Sequence, residues 1–534
     1  MRRPRFRAGL AAAAVATLAL AACGDGGGDD EPSGGELPQV VVGTTDTVTN
    51  IDPAGEFDLP SNNIVDSIYE RLLWIPPGQN EPQPMAAESC DWTDDVTYTC
   101  TLKEGLQFSD GDDLTAEDVV FSFERQLTIQ HESGGWTLLG AINPDNGGSV
   151  EAVDDRTVVF HLAQPDATFP FVLTTPNAGS IVPSHIYPAD ALQPNDQVVG
   201  SGPYKIGTFD PSQQITLVPN ENYTGDRTPN NGGIVIQVYQ QQSALKQAIE
   251  EGQVHVAFRS LGVTDTADLV ANGASRGVQV VFGEGTEINY MVLQTGRPPL
   301  DNVAVRQAIA QVIDREAIAE NVYQGTVTPL YGPIPAGLPG HKPSYQERYG
   351  EPNPEAAAAI LEEAGVETPV SFELWWMPDR YGEEIADMYA EIERQLEATG
   401  LFDVELQSLS WEQYSTVFSD GSMDAFDLGW FPDFPDSSNY LTGFYASDDR
   451  NFLNAGYANE EVDRLIDEIL TNTDQAARVA AAERISDIVA EEVPIIQLWQ
   501  RDQVAYVREG VTGVQDTLDA AFIFRYYMIG APEA

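Results

Sequence analysis

Residues 98–119 read YTCTLKEGLQFSDGDDLTAEDV, a run that carries two local structure signals in close succession. Ser109–Asp113 has the composition of a tight turn. Thr115 follows as a helix N-cap, and Asp118 occupies the third helical position, as in a capping box. The apolar residues that this helix is expected to bury are Val119, Val120, Phe123 and Leu127. The run therefore predicts a turn that leads into a capped helix.

Strand and helix signals alternate along the rest of the chain, which predicts α/β lobes rather than a sandwich or a bundle. A first strand is predicted at Val40–Gly43, and later strands around Val404–Leu406 and Phe426–Trp430. Predicted helices begin at Asp301-Asn302, at Asn353-Pro354, near Ile385 and at Ser410, and two acidic helices cover about 459–470 and 474–492.

Six runs along the chain, in order, resemble the solute-binding proteins of ABC importers, family 5, the oligopeptide-, dipeptide- and nickel-binding family. The run over 98–111 and 114–119 matches that family's hairpin, turn and capped helix almost residue for residue. The other five are NIDP at 50–53, IYERLL at 68–73, GSGPYK at 200–205, VAVRQAI at 303–309 with IDR at 313–315, and NAGYANEEVD at 454–463. Arg71 departs from the family's usual glycine.

The resemblance implies an α/β, periplasmic-binding-protein-like fold of two lobes with an extra inserted domain, of the large class II, cluster C type. It implies that a solute closed between the lobes is delivered to an ABC permease and its ATPase subunits. The domain boundaries expected from it are 37–58 with 183–285 and 503–534 for lobe one, 59–182 for the inserted domain, and 286–502 for lobe two.

The first residues have the pattern of a bacterial lipoprotein signal. Four arginines precede the apolar run Ala8–Leu20, which is too short to span a bilayer. Residues 20–23, Leu-Ala-Ala-Cys, resemble a lipobox, so 1–22 is predicted to be the signal peptide and Cys23 the lipidated residue. The Gly- and Asp-rich stretch 23–36 is predicted to be a flexible tether. We therefore expect a monomer on the outer face of the cytoplasmic membrane or in the periplasm, held by a lipid anchor; the export route stays open.

Cys90 and Cys100 are the remaining cysteines. Asp94-Asp95 lies midway between them and has the character of a hairpin turn, which would set the two cysteines opposite each other. Export to an oxidising compartment favours a disulfide; two free buried thiols are the alternative.

The chain is strongly acidic, with a formal net charge of −56. Removal of residues 1–22 and their four arginines takes it to −60, and lysine occurs only at 103, 205, 246 and 342. No basic surface for nucleic acid can be built from this composition. So acidic a chain repels itself unless salt screens it, which suggests a salt-tolerant source; thermal stability should then rise between low and about molar salt.

Residues 429–436, GWFPDFPD, match the family's cleft loop, in which an Asp holds the α-ammonium of a peptide. Asp433 occupies the position of that Asp. The alternative is that Asp433 is only a turn residue between two prolines. Asp436 has the character of a turn or cap residue. The aromatic residues Trp430, Phe431 and Phe434 give the same loop rigid apolar faces.

Further ligand contacts are expected from Trp375 or Trp376, where a lobe-two strand should run out toward the cleft. Core packing is the alternative for both. Tyr290, with Glu287 and Asn289, lies at the crossing into lobe two, and Phe57 lies in the loop after the first strand. These are the remaining candidates for contact with the solute, and ordinary packing is the alternative for Phe57.

A small peptide is the expected solute, with an oligosaccharide, an opine or a metal chelate as alternatives. A sensor or adhesin of the same fold is a further alternative. The five histidines follow no metal-ligand spacing, and Asp110–Asp113 lacks the spacing and distal Glu of a calcium loop. We therefore expect no metal site and no cofactor. The motifs of serine hydrolases and zinc peptidases do not occur, so an enzyme is not expected.

Overall fold

The strands follow from alternating apolar residues that bury one or both faces of a sheet. The computed structural model describes residues 37–418 and 420–532, so the predicted signal peptide, tether and Cys23 lie outside the described residues. The strands are β1 Val40–Thr44, β2 Leu73–Trp74, β3 Gln83–Pro84, β4 Ala87–Asp94, β5 Thr97–Leu102, β6 Ser149–Ala152, β7 Thr157–His161, β8 Tyr204–Asp210, β9 Gln214–Pro219, β10 Ile234–Val238, β11 Val256–Phe258, β12 Val278–Leu293, β13 Val327–Pro329, β14 Val370–Trp376, β15 Phe402–Ser408, β16 Ala425–Trp430 and β17 Ile495–Arg508.

The helices begin where the sequence places caps. Thr115 donates through its backbone N–H and its hydroxyl to Asp118 Oδ2, and Asn353 caps a helix that starts at Pro354. The helices are α1 Leu59–Ile68, α2 Ala116–Ile129, α3 Phe169–Val172, α4 Pro176–Gly179, α5 Gln242–Glu250, α6 Val263–Asn272, α7 Val303–Val312, α8 Arg315–Asn321, α9 Ser344–Tyr349, α10 Pro354–Glu363, α11 Ile385–Glu397, α12 Trp411–Phe418, α13 Ser438–Tyr445, α14 Glu460–Thr471 and α15 Gln475–Glu492. The predicted capping box at α2 and the predicted starts of α7, α10, α12, α14 and α15 are confirmed to within a residue.

One mixed sheet runs through the molecule in the order β15-β14-β16-β12-β17-β11-β1-β10-β9-β8, and β13 pairs with β17. We call the part with β1 and β8–β11 lobe one, and the part with β13–β16 lobe two. Strand β1 is parallel to β10 and β11, and β14 is parallel to β15 and β16. Parallel strands of this kind place their carboxyl ends at one edge, where α/β proteins bind ligands.

The two longest strands join the lobes. Residues 278–283 of β12 pair with 503–508 of β17 on the lobe-one side, and residues 287–292 pair with 495–501 on the lobe-two side. The register is irregular between Gly283 and Glu287. A side chain at Gly285 would collide with the carbonyl group of Arg501, so glycine permits the close approach of the two strands there. Glu287 and Arg501 lie directly opposite each other where the regular ladder resumes.

A separate four-stranded sheet, ordered β4-β5-β7-β6, holds the motif at 98–119. Strands β4 and β5 form the predicted antiparallel hairpin, with Cys90 opposite Cys100 and their sulfur atoms bonded at 2.04 Å. Within the part of the chain that the structure describes, one hydrophobic cluster draws its buried residues from Leu72 to Ile181, with Phe434 as its single contribution from lobe two. The domain boundaries expected from the sequence stay a prediction. Among the described residues, no helix has the length and apolar character needed to cross a membrane.

Candidate ligand-binding site

A cavity of about 1120 Å³ lies where the two lobes meet. Its walls follow the carboxyl ends of parallel strands, since it is reached by the residues after β1, β11, β14 and β16. The middle of the β12–β17 pair, the start of α1, residues 174–177 and residues 521–523 also contribute to it. This is the position at which the topology of an α/β sheet favours a ligand. The volume suits a ligand of several residues or a comparably large small molecule.

The loop after β16 is held by one side-chain amide. Asn439 Oδ1 accepts hydrogen bonds from the indole N–H of Trp430 at 2.9 Å and from the backbone N–H of Asp433 at 3.1 Å. Its Nδ2 donates to Asp433 Oδ2 at 3.2 Å. The carboxylate of Asp433 is therefore fixed by a neutral group at the cavity wall.

Asp433 carries an uncompensated charge. Among the described residues, no Lys, Arg or His comes within ion-pair distance of its carboxylate, although it lines the cavity. Burial raises the pKa of Asp433, and the Asn439 hydrogen bond opposes that rise. Asp433 is half-buried, and a carboxylate that a ligand would withdraw further from water is costly unless a cation meets it. The geometry therefore favours a cationic group on the ligand.

Asp436 plays a different part three residues later. It is buried, accepts from the backbone N–H and hydroxyl of Ser438, and pairs with Arg478 at 2.7 Å. Its charge is satisfied within the protein, as the interpretation as a turn or cap residue predicts.

Aromatic rings form much of the remaining wall. Trp430 stacks on Phe452 with ring centroids 5.5 Å apart, and Phe434 packs against Phe171 at 6.1 Å. Phe57 and Phe431 both line the cavity, although more than two fifths of each is exposed. Large apolar side chains that stay exposed in a cavity mark a binding surface.

Tyr290 also lines the cavity, and its buried hydroxyl has no hydrogen-bond partner among the described residues. Burial raises the pKa of Tyr290 well above its ordinary value. Asn289 instead points into lobe two, where its Nδ2 donates to Asp427 Oδ1 at 2.8 Å.

Trp375 and Trp376 are not among the described residues that line the cavity. Trp375 is half-buried against the lobe-two core and donates through its indole N–H to Glu373 Oε2 at 3.2 Å. Trp376 packs against a second lobe-two cluster. The chain reaches the cavity four residues after β14, at Arg380, whose guanidinium lies 3.8 Å over the ring of Trp411. Contact of either tryptophan with a solute stays a prediction.

Three arginines of the wall were not foreseen: Arg259, Arg380 and Arg501. Arg259 and Arg501 approach the same oxygen of Glu287, at 3.1 and 3.2 Å. Basic residues are scarce in this chain, so an arginine just after a predicted strand is unusual. Such a position could have indicated a residue of the site. Arg380, just after the Trp375-Trp376 strand, showed that signal most clearly.

Asp110, Asp112 and His185 meet on the surface outside this cavity, with His185 Nε2 3.1 Å from Asp110 Oδ2 and 3.0 Å from Asp112 Oδ2. No sequence pattern indicated that this turn and His185 would be neighbours. Gly111 has a positive φ of 97°, and the backbone N–H of Asp112 donates to Asp110 Oδ1, which confirms the predicted turn.

A cavity between two lobes that share two long strands defines a protein that holds a solute between its lobes. The chain belongs to the bacterial extracellular solute-binding proteins, family 5, since the model of that family, in its middle part, matches residues 81–452.

Known relatives resemble the chain over most of its length. Heme-binding protein A of Haemophilus influenzae is 27% identical, covering 90% of this chain and 92% of that protein. Di/tripeptide-binding protein 1 of Pseudomonas aeruginosa is also 27% identical, covering 88% of this chain and 87% of its own length. Among solved structures, the ABC transporter-associated periplasmic binding protein of Helicobacter pylori in complex with peptide STSA superposes with a TM-score of 0.72 at 21% identity, covering 93% of this chain and 99% of that one.

Proposed function

We propose that this protein captures a small peptide between its lobes and delivers it to an ABC importer. The observation that carries the proposal is Asp433, a half-buried carboxylate that lines an aromatic cavity and lacks a cation among the described residues. A peptide α-ammonium supplies that cation. Relatives named as di/tripeptide-binding, and a similar fold solved with a bound peptide, support the same solute class.

A peptide also carries a carboxylate, and Arg380 is the group we propose to meet it. Its guanidinium stacks on Trp411 at the cavity wall, and among the described residues it makes no ion pair. Stacking on an aromatic face leaves the N–H edge of an arginine free to bind a carboxylate. The exposed rings of Phe57 and Phe431 would cover the apolar parts of the peptide. We infer no catalytic step in this process.

Mass spectrometry of the material released when the purified protein is denatured tests the solute class. The proposal expects peptides, and their absorption spectrum should lack a porphyrin band. An oligosaccharide, an opine, a metal chelate or haem as the released molecule would contradict it. Thermal shift with a peptide library then gives the preferred length.

We also propose that Cys23 carries a lipid and holds the mature protein on the membrane as a monomer. The lipobox and the glycine-rich tether support this proposal. Cys23→Ser should release the protein into the soluble fraction, whereas unchanged retention in the membrane fraction would contradict it. A Ser33→Ala change in the tether serves as the matched control.

A further inference from the structure

Two arginines of the cavity wall share a single carboxylate. Arg259 Nη2 lies 3.1 Å from Glu287 Oε2, and Arg501 Nε lies 3.2 Å from the same oxygen. Each arginine side chain is about one fifth exposed, and that of Glu287 is 6% exposed. Two positive charges are thus held against one negative charge in a poorly hydrated place. A surplus positive charge of this kind attracts a further anion.

Arg259 is also held in a stacked position. Its guanidinium lies 5.2 Å from the ring centroid of Phe431, in the lobe-two loop, and 4.8 Å from that of Phe522, in the C-terminal segment. Rings on the faces of a guanidinium leave its edge to make hydrogen bonds. One part of that edge meets Glu287, and the residue as a whole lines the cavity.

The backbone at this place is strained. Arg259 has a φ of 62° and Phe522 a φ of 61°, a backbone conformation that residues other than glycine rarely adopt. Both residues line the cavity and they contact each other. Strained residues of this kind cluster where the surroundings fix a side chain for binding.

Two further acids of the cavity wall act on these arginines, Asp46 on Arg259 and Glu384 on Arg501. Asp46 faces the same cavity, and among the described residues it forms no ion pair. Burial raises the pKa of Asp46, and Arg259 acts in the opposite direction. Burial likewise lowers the pKa of Arg259, with Glu287 acting against it. Burial also acts to lower the pKa of Arg501, but Glu287, Tyr323 and Glu384 outweigh it and the pKa of Arg501 is raised. Of the two guanidinium groups, that of Arg259 therefore has the less complete compensation by nearby carboxylates.

We propose that Arg259 and Arg501, placed on either side of Glu287, form a subsite for a carboxylate on a side chain of the bound peptide. This inference rests on the proposed function and narrows it to peptides that contain Asp or Glu. Asp433 and Arg380 would bind the two ends of the peptide, and Arg259 with Arg501 would bind the carboxylate of its acidic residue.

Isothermal calorimetry with six tripeptides tests the subsite. Glu-Ala-Ala, Ala-Glu-Ala and Ala-Ala-Glu are compared with the three peptides in which Gln replaces Glu. At least one Glu peptide should bind about tenfold more tightly than its Gln counterpart, since a charge-assisted contact in a poorly hydrated site is worth that much. Arg259→Gln and Arg501→Gln should each reduce this preference to about twofold or less.

Glu287→Gln gives a result of opposite sign. Removal of the competing carboxylate should increase the affinity for the preferred Glu peptide about threefold or more. If the cluster had only a structural role, Arg259→Gln, Arg501→Gln and Glu287→Gln would all bind the Glu peptide more weakly. Arg394→Gln, on the exposed face of α11, removes one positive charge outside the cavity and should leave the preference intact. Melting temperatures of all variants show which of them remain folded.

Equal affinities of the Glu and Gln peptides for the unmodified protein would overturn the subsite and leave the proposed function standing. A preference that survives in both arginine variants would also overturn it. Failure of every tripeptide to bind would contradict the proposed function as well.

Discussion

Asn439 donates a hydrogen bond from Nδ2 to the carboxylate of Asp433 at 3.2 Å, while its Oδ1 accepts from the backbone N–H of the same residue. One amide thus fixes both the backbone and the side chain of Asp433 without adding charge. The carboxylate stays available to a cation that arrives with the solute, because its protein partner is neutral.

Asn439→Ala should weaken peptide binding without unfolding the protein. The change leaves the indole N–H of Trp430 and the backbone N–H of Asp433 without their acceptor, which typically costs about 1 to 2 kcal/mol. We expect affinity for Ala-Ala-Ala to fall about fivefold to thirtyfold in calorimetry. Asn272→Ala, on the exposed end of α6, is the matched control. Equal affinities of the two variants would show that Asn439 does not position the loop.

The buried carboxyl group of Asp427 should make the free energy of unfolding depend on pH. Its Oδ1 accepts from Asn289 at 2.8 Å and Tyr389 at 2.9 Å, and burial raises the pKa of Asp427 to about 7. Because the folded-state pKa lies above that of the unfolded chain, the folded state holds its proton more tightly. Stability from this group is therefore full below about pH 4, falls by about 1.4 kcal/mol per pH unit up to about pH 7, and is constant above.

Asp427→Asn removes this titration and keeps the shape of the side chain. Its new amide can donate to Asn289 Oδ1, which has no partner among the described residues. The variant should be more stable than the unmodified protein at pH 8, with the difference shrinking toward pH 5, as measured by urea unfolding. Asp516→Asn, at an exposed site, should show no such trend. A stability difference independent of pH would contradict the account.

The Cys90–Cys100 bond should add a modest amount of stability and nothing to binding. It closes a short hairpin, so its loss should cost about 2 to 3 kcal/mol. Cys90→Ala with Cys100→Ala should lower the melting temperature and leave peptide affinity unchanged. Two thiols that alkylate in the native protein without reductant would show that the bond is absent.

Local signals predicted the elements of the fold well, because they act between residues close in sequence. Thr115 and Asp118 form the expected capping box, and Asn353 caps the helix expected after it. The pairing of β12 with β17 carries no local signal, since its two strands lie far apart in the chain. The contact between Glu287 and Arg501 depends on that pairing, so composition alone could not bring them together.

The site was predicted in part, for the same reason. Asp433 and its aromatic neighbours share one loop, and the structure places that loop on the cavity wall. Trp375 lies at the end of the expected strand, but its side chain is packed toward the lobe-two core. Which face of a strand end meets a cavity depends on neighbouring strands. No sequence pattern singled out Asn439, because its partners become neighbours only when the loop folds.

Calorimetry on Asp433→Asn with Ala-Ala-Ala tests the central claim most directly. The substitution keeps the shape of the side chain and removes the charge that we assign to the peptide ammonium. Loss of one partner of a buried charge pair typically costs about 2 to 5 kcal/mol, so affinity should fall about thirtyfold or more, with the melting temperature of the ligand-free protein nearly unchanged. N-acetylation of Ala-Ala-Ala removes the peptide ammonium, so it should reduce the affinity for the unmodified protein by a similar factor. The same acetylation should reduce the affinity for Asp433→Asn only slightly. Unchanged affinity of Asp433→Asn for Ala-Ala-Ala would contradict the account.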